Sequence, residues 1–206
     1  LQKEGIYLFG EASVPDDIIK DVEYYFKQIG PDFHVEIIPN RGPQAGLEWL
    51  LPTLLIIFFA KPFIENLAKE MASDLYKLIK LGISSIWSKF FGPNPKYKYR
   101  IIVTGKRLRE DFEFSPAFSI YTELSDLAKL KFLYKQSWTH EEFDEATDTF
   151  LYNITLLYSG QDSELMEILE KSAIKRGIIL VTFNERMKML EIVNPVPPQA
   201  QKKKDI

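Results

Sequence analysis

The sequence predicts a mixed fold, α+β or α/β, in which helices pack on a mixed sheet and a long hydrophobic and amphipathic helical segment is inserted among the strands. Three observations predict it. Short apolar runs closed by Gly or Pro alternate with stretches whose apolar residues recur every three or four positions. An apolar share of 46% against 27% charged residues supplies a core and excludes a wholly disordered chain. One block, Leu47 to Ala60, is almost entirely apolar and leads directly into an amphipathic stretch.

The elements follow in order. Ile6-Tyr7-Leu8-Phe9, ended by Gly10, reads as a first strand. Ser13 precedes Pro15, Asp16 and Asp17, a serine cap, an early proline and acids at the positive end of a helix. Ile18, Ile19, Val22, Tyr25, Phe26 and Ile29 keep helical spacing until Gly30-Pro31. His34 to Ile38 reads as a second strand, stopped by Pro39-Asn40.

Leu47 to Ala60 then allows three readings: a helix buried between the sheet and its successor, an apolar surface for a partner, or a membrane-contacting segment. Pro52 lies inside it, and Glu48 and Lys61 flank it, so it is short for the ~20 apolar residues of a bilayer span. From Pro62 the pattern is amphipathic: Phe63, Ile64, Leu67, Met71, Leu75, Leu78, Ile79, Ile83, Ile86, Trp87 and Phe90 form one stripe. Gly82 and Ser84-Ser85 are expected to bend or divide that helix. Gly92-Pro93-Asn94-Pro95 ends it.

Beyond this point Lys96 to Val103 and Phe112 to Tyr121 read as strands, with Pro116 marking an edge or a bulge. Leu127 to Tyr134 fits strand and helix equally. Thr139-His140-Glu141-Glu142 is a capping box opening a helix to about Tyr158, and Asp162 or Ser163 opens another that ends at Gly177. Ile178 to Phe183 and Met189 to Val193 form a hairpin around Asn184-Glu185. The expected organisation is one composite domain over 1–194, with the helical insertion at 43–92 and a disordered tail at 195–206. No internal repeat is evident.

Composition narrows the chemistry. The chain has no cysteine, which removes disulfides, thiolate nucleophiles and cysteine-ligated zinc. A net charge of -3 argues against general affinity for a phosphate backbone. Ile6 to Phe9 is too short for the apolar core of a signal peptide. His34 and Glu36 share a strand face, but two ligands do not make a metal site, and no metal or cofactor is expected. Thr104-Gly105-Lys106 lacks the spacing of a phosphate-binding loop. Asn153-Ile154-Thr155 matches a glycosylation triplet inside a predicted helix, an accidental match. Lys96, Lys98, Arg100, Lys106 and Arg107, interleaved with Tyr97 and Tyr99, form the densest basic patch and a weak nucleic-acid candidate.

These readings favour a non-enzymatic protein-interaction module, associating with itself or another protein through the 47–91 helical region. Its candidate contact residues are Trp49, Leu54, Phe58, Phe59, Phe63, Trp87 and Phe90. The alternatives are an enzyme with a cleft of Asp, Glu, Tyr or Lys, and a peripheral membrane protein using the same region. A cytoplasmic place, with or without membrane attachment, is the expected localisation.

Overall fold

The computed structural model describes residues 4–30, 32–39, 53–69, 74–91, 94–98, 113–125, 128–171 and 177–194. In chain order its elements are β1 (Ile6–Glu11), α1 (Asp16–Phe26), β2 (Phe33–Ile38), β3 (Leu55–Phe59), α2 (Lys61–Lys69), α3 (Asp74–Phe90), β4 (Phe114–Ser125), β5 (Ala128–Lys135), α4 (His140–Tyr158), α5 (Glu164–Lys171), β6 (Gly177–Asn184) and β7 (Met189–Ile192). The expected α+β class holds: the strands form one mixed seven-stranded sheet in the order β2-β1-β3-β4-β5-β6-β7.

A regularity underlies this order that no sequence repeat announces. Three times a strand, one or two helices and a second strand place two strands side by side and parallel: β1 with β2, β3 with β4, and β5 with β6. Antiparallel pairs β1–β3, β4–β5 and β6–β7 join these units to one another and to the last strand. Long connections suit parallel neighbours, because a tight turn cannot reverse the chain twice.

Side-chain alternation assigns the two faces. Ile6, Leu8, Leu55, Ile57, Phe59, Phe118, Ile120, Leu130, Phe132, Tyr134, Ile179, Val181 and Phe183 lie in register on one face. They share a core with Ile18, Val22 and Phe26 of α1, Ile64 and Leu67 of α2, Ile79, Ile83 and Ile86 of α3, and Phe143, Phe150 and Ile154 of α4. Leu165 of α5 completes it. Every described helix therefore packs on the same face of the sheet. The residues between, such as Tyr7, Phe9, Phe58, Lys131 and Leu133, point to the other face.

The expected helix at Leu47 to Ala60 is corrected over its described part, and 47–52 lie outside the described residues. Leu55–Phe59 is a strand in the interior of the sheet, paired with β1 on one side and β4 on the other. Covered on both faces, it has no polar positions, and an unbroken apolar run carries neither a helical nor an alternating signature. Its neighbour α2 spans Lys61–Lys69, and α3, Asp74–Phe90, runs through Gly82 without dividing there. Gly82 sits within α3 for a packing reason. A Cβ there would lie 2.3 Å from Cε1 of Phe26, so the missing side chain lets α3 rest on α1.

Other expectations shift slightly. Pro15, not Ser13, is the N-cap of α1, with no side-chain cap bond. Pro116 lies in an interior strand, at the irregularity of register between Phe114 and Ser119. Residues 96–98 have no regular structure, whereas 99–103 lie outside the described residues. The capping box of α4 forms as expected: Glu142 N–H donates to Thr139 Oγ1 at 3.2 Å, and Thr139 N–H donates to Glu142 Oε2 at 2.8 Å. Ser163 accepts from Met166 N–H to start α5. The final hairpin pairs Asn184 with Met189 and Val181 with Ile192. The 195–206 tail lies outside the described residues.

Candidate functional site

The sheet has two edges among the described residues, and they differ. At β7, the main-chain N–H of Leu190 points outward and donates to Glu164 Oε2 at 2.8 Å. A carboxylate on the first turn of α5 thus occupies the edge that another strand would use.

At β2, no such group is present among the described residues. Ile6 N–H donates to Asp32 O and Ala12 N–H donates to Ile38 O, each at 2.9 Å. These bonds set the parity of the ladder: even-numbered residues of β2 turn their main-chain groups toward β1. The N–H and C=O groups of Phe33, Val35 and Ile37 consequently point away from the sheet. Their side chains lie over the helix face, where Phe33 meets Phe26 edge-on at 5.3 Å and both Phe33 and Val35 pack on the core. Ile37 remains 52% exposed, against the Gly10 backbone. The intervening His34 and Glu36 are exposed on the opposite face.

A row of aromatic and basic side chains crosses that opposite face: His34, Tyr7, Phe58, Tyr121 and Lys131 are successive register partners. His34 stacks on Tyr7 at 4.8 Å, Phe58 meets Tyr7 and Phe9 edge-on, and Lys131 Nζ lies 5.1 Å over the Tyr121 ring. Lys129 Nζ approaches Phe58 at 6.0 Å. Bases could stack on such a row if it were open. Phe58 and Lys131 are each only 4% exposed, however, so its middle is packed away and its accessible end is at β2.

Comparison with protein-family models, with curated proteins and with solved structures finds no match to this chain.

The residues singled out from the sequence mostly serve the fold. Phe59, Trp87 and Phe90 belong to the core cluster, and Leu54 and Phe63 pack against it. Phe58 is buried on the other face, and Trp49 lies outside the described residues. The described part of the 47–91 region therefore spends these side chains inside its own chain. No described helix is long and apolar enough to cross a membrane.

The basic patch is likewise partly engaged. Lys96 Nζ, Tyr97 Oη and Lys89 Nζ all converge on Asp17, at 2.6, 2.6 and 3.1 Å. The bonds from Lys96 and Tyr97, with Lys89 beside them, hold the Asp17 carboxyl well below the usual carboxylate range. Lys98 is exposed, and Arg100, Lys106 and Arg107 lie outside the described residues.

Two arrangements resemble catalytic ones by residue type. Ser84, His140 and Asp144 come together where α3 meets α4, but Ser84 Oγ at 3.2 Å and Asp144 Oδ1 at 3.7 Å approach the same ring nitrogen, Nε2. A hydrolytic triad needs the acid on one nitrogen and the hydroxyl on the other. Tyr158 borders two shallow depressions of about 290 and 370 Å³ with Glu65. Burial pushes its phenol up to about 12, so it stays protonated near neutral pH and offers no base. Among the described residues no group of three His, Asp or Glu is placed to hold a metal. Asn153 is spent internally: its Nδ2 donates to Thr149 O and its Oδ1 accepts from Glu164 N–H.

The open edge at β2 escaped the sequence reading. His34 to Ile38 was legible as a strand, and His34 and Glu36 as sharing a face, yet nothing in those residues distinguishes an edge from an interior strand. That property depends on which described strands arrive beside β2.

Proposed function

We propose that this chain is a non-enzymatic interaction module that binds by adding a strand to its sheet at β2. One observation carries the reading: the outward N–H and C=O groups of Phe33, Val35 and Ile37 have no described partner strand, whereas at the opposite edge Glu164 takes the outward N–H of Leu190. Main-chain bonding along such an edge supplies affinity, and alternating side chains supply selectivity. Here the alternating set is apolar Phe33, Val35 and Ile37 on one side, and His34 and Glu36 on the other.

The contact surface moves accordingly from the 47–91 region to the edge of β2. Replacing Phe59, Trp87 or Phe90 by alanine removes core packing worth about 3–5 kcal/mol, so those residues report on folding rather than on binding.

The test uses Val35→Pro. Proline deletes the N–H of residue 35, which points outward, and leaves the bonds between β1 and β2 in place. A displayed library of random peptides is selected on the native chain and on this variant. Extended, β-prone binders that recognise the native chain and lose the variant support strand addition. Binding that is indifferent to the variant, or no binder together with a strictly monomeric chain, overturns it.

A further inference from the structure

We infer that the strand added to β2 comes from a second copy of this chain, antiparallel about a two-fold axis through Val35, a conclusion resting on the open-edge reading above. The argument is one of self-complementarity. With the axis at Val35, that residue faces its own copy and Phe33 faces Ile37 of the second copy. All these residues have outward main-chain groups, so every such pair is of the hydrogen-bonded kind, with about six bonds across the seam.

The residues between them fall in the closer, non-hydrogen-bonded pairs. There His34 meets Glu36 of the second copy, and Glu36 meets its His34, placing a cationic or hydrogen-bonding ring against a carboxylate twice. On the helix side, Phe33 covers Ile37, which is 52% exposed in the single chain. Shifting the axis by one residue loses this match. An axis at His34 sets Glu36 against Asp32, and an axis at Glu36 sets that residue against itself; acid meets acid in both. The contact is isologous and consumes the β2 edge of both copies, so pairing through it closes at a dimer.

Sedimentation of the full chain over a range of concentrations tests this, with three variants. Val35→Pro abolishes the dimer and keeps the circular dichroism spectrum of the native chain. His34→Glu places acid against acid across the seam, and Glu36→Lys places base against base; each raises the dissociation constant about tenfold or more. An equimolar mixture of these last two regains tight dimers, because the new glutamate of one faces the new lysine of the other. That recovery separates lost pairing from lost folding.

A native chain that stays monomeric, a dimer indifferent to Val35→Pro, or a mixture no tighter than its components overturns the inference. If the chain is monomeric but peptide binding remains sensitive to Val35→Pro, self-pairing fails and strand addition stands. If neither occurs, both fall.

Discussion

Glu164 accepts the hydrogen bond of the Leu190 N–H at 2.8 Å, and through that contact α5 takes up an outward donor at one end of the sheet. The same residue's own N–H is held by Asn153 Oδ1 at 2.9 Å, which anchors the first turn of α5 to α4. Replacing Glu164 by alanine leaves the Leu190 donor without its partner and exposes the edge. The expected result is a loss of about 1 kcal/mol in chemical denaturation. Concentration-dependent light scattering should also appear, and should persist when combined with Val35→Pro. Unchanged scattering would show that the carboxylate does not protect the edge.

Gly82 and Phe26 set the distance between α3 and α1. Alanine at residue 82 improves intrinsic helix propensity by about 1 kcal/mol, but its Cβ would fall 2.3 Å from the Phe26 ring. Overpacking of about 1–3 kcal/mol opposes that gain, so Gly82→Ala is expected to destabilise the fold. A Phe26→Leu change in the same chain should recover part of the loss, a coupling that urea titration of the double-mutant cycle measures.

Asp17 gives the chain a specific acid sensitivity. Its pKa is lowered by Lys96 and Tyr97, and further by Lys89, from an ordinary value of 3.8. A depressed folded pKa adds stability that is fully present above the unfolded value and is lost as pH falls through the folded one. The native chain should therefore exceed Asp17→Asn in stability at neutral pH, and the gap should narrow steadily as pH drops below about 3.8. Thermal denaturation of both chains along a pH series decides it; a gap independent of pH would mean the contribution is not ionic.

Thr139 caps the longest described helix reciprocally with Glu142. Thr139→Ala should cost about 1 kcal/mol, with Glu142→Gln costing less because the amide oxygen still accepts from the Thr139 N–H. Denaturation midpoints at constant slope test the order of the two.

Legibility varied with the kind of signal each element carries. The capping box announced α4 because its cause is local: a hydroxyl and a carboxylate three residues apart satisfy each other's end amides. The short apolar run Ile6-Tyr7-Leu8-Phe9 announced β1, although Gly10 did not end it. Leu55 to Phe59 misled because burial on both faces erases periodicity. Ser13 misled because a suitable residue near a helix start caps only if the backbone brings it there, and here Pro15 takes that position. Leu127 to Tyr134 fits strand and helix equally from its residues alone, and only the pairs with β4 and β6 make Ala128–Lys135 a strand.

By itself the sequence determined the class of fold, most of the helices and strands, the absence of thiol chemistry and the alternation of His34 and Glu36 along one strand. Those features depend on residue type and near neighbours. Only the tertiary structure decided that β3 is an interior strand, that Gly82 is a contact point, and that β2 is an open edge among the described residues while Glu164 takes the outward Leu190 N–H of β7. Each of these is a relation between residues far apart in the chain, where hydrogen bonds and contacts are assigned by which strand or helix arrives alongside, and no local pattern encodes that arrival.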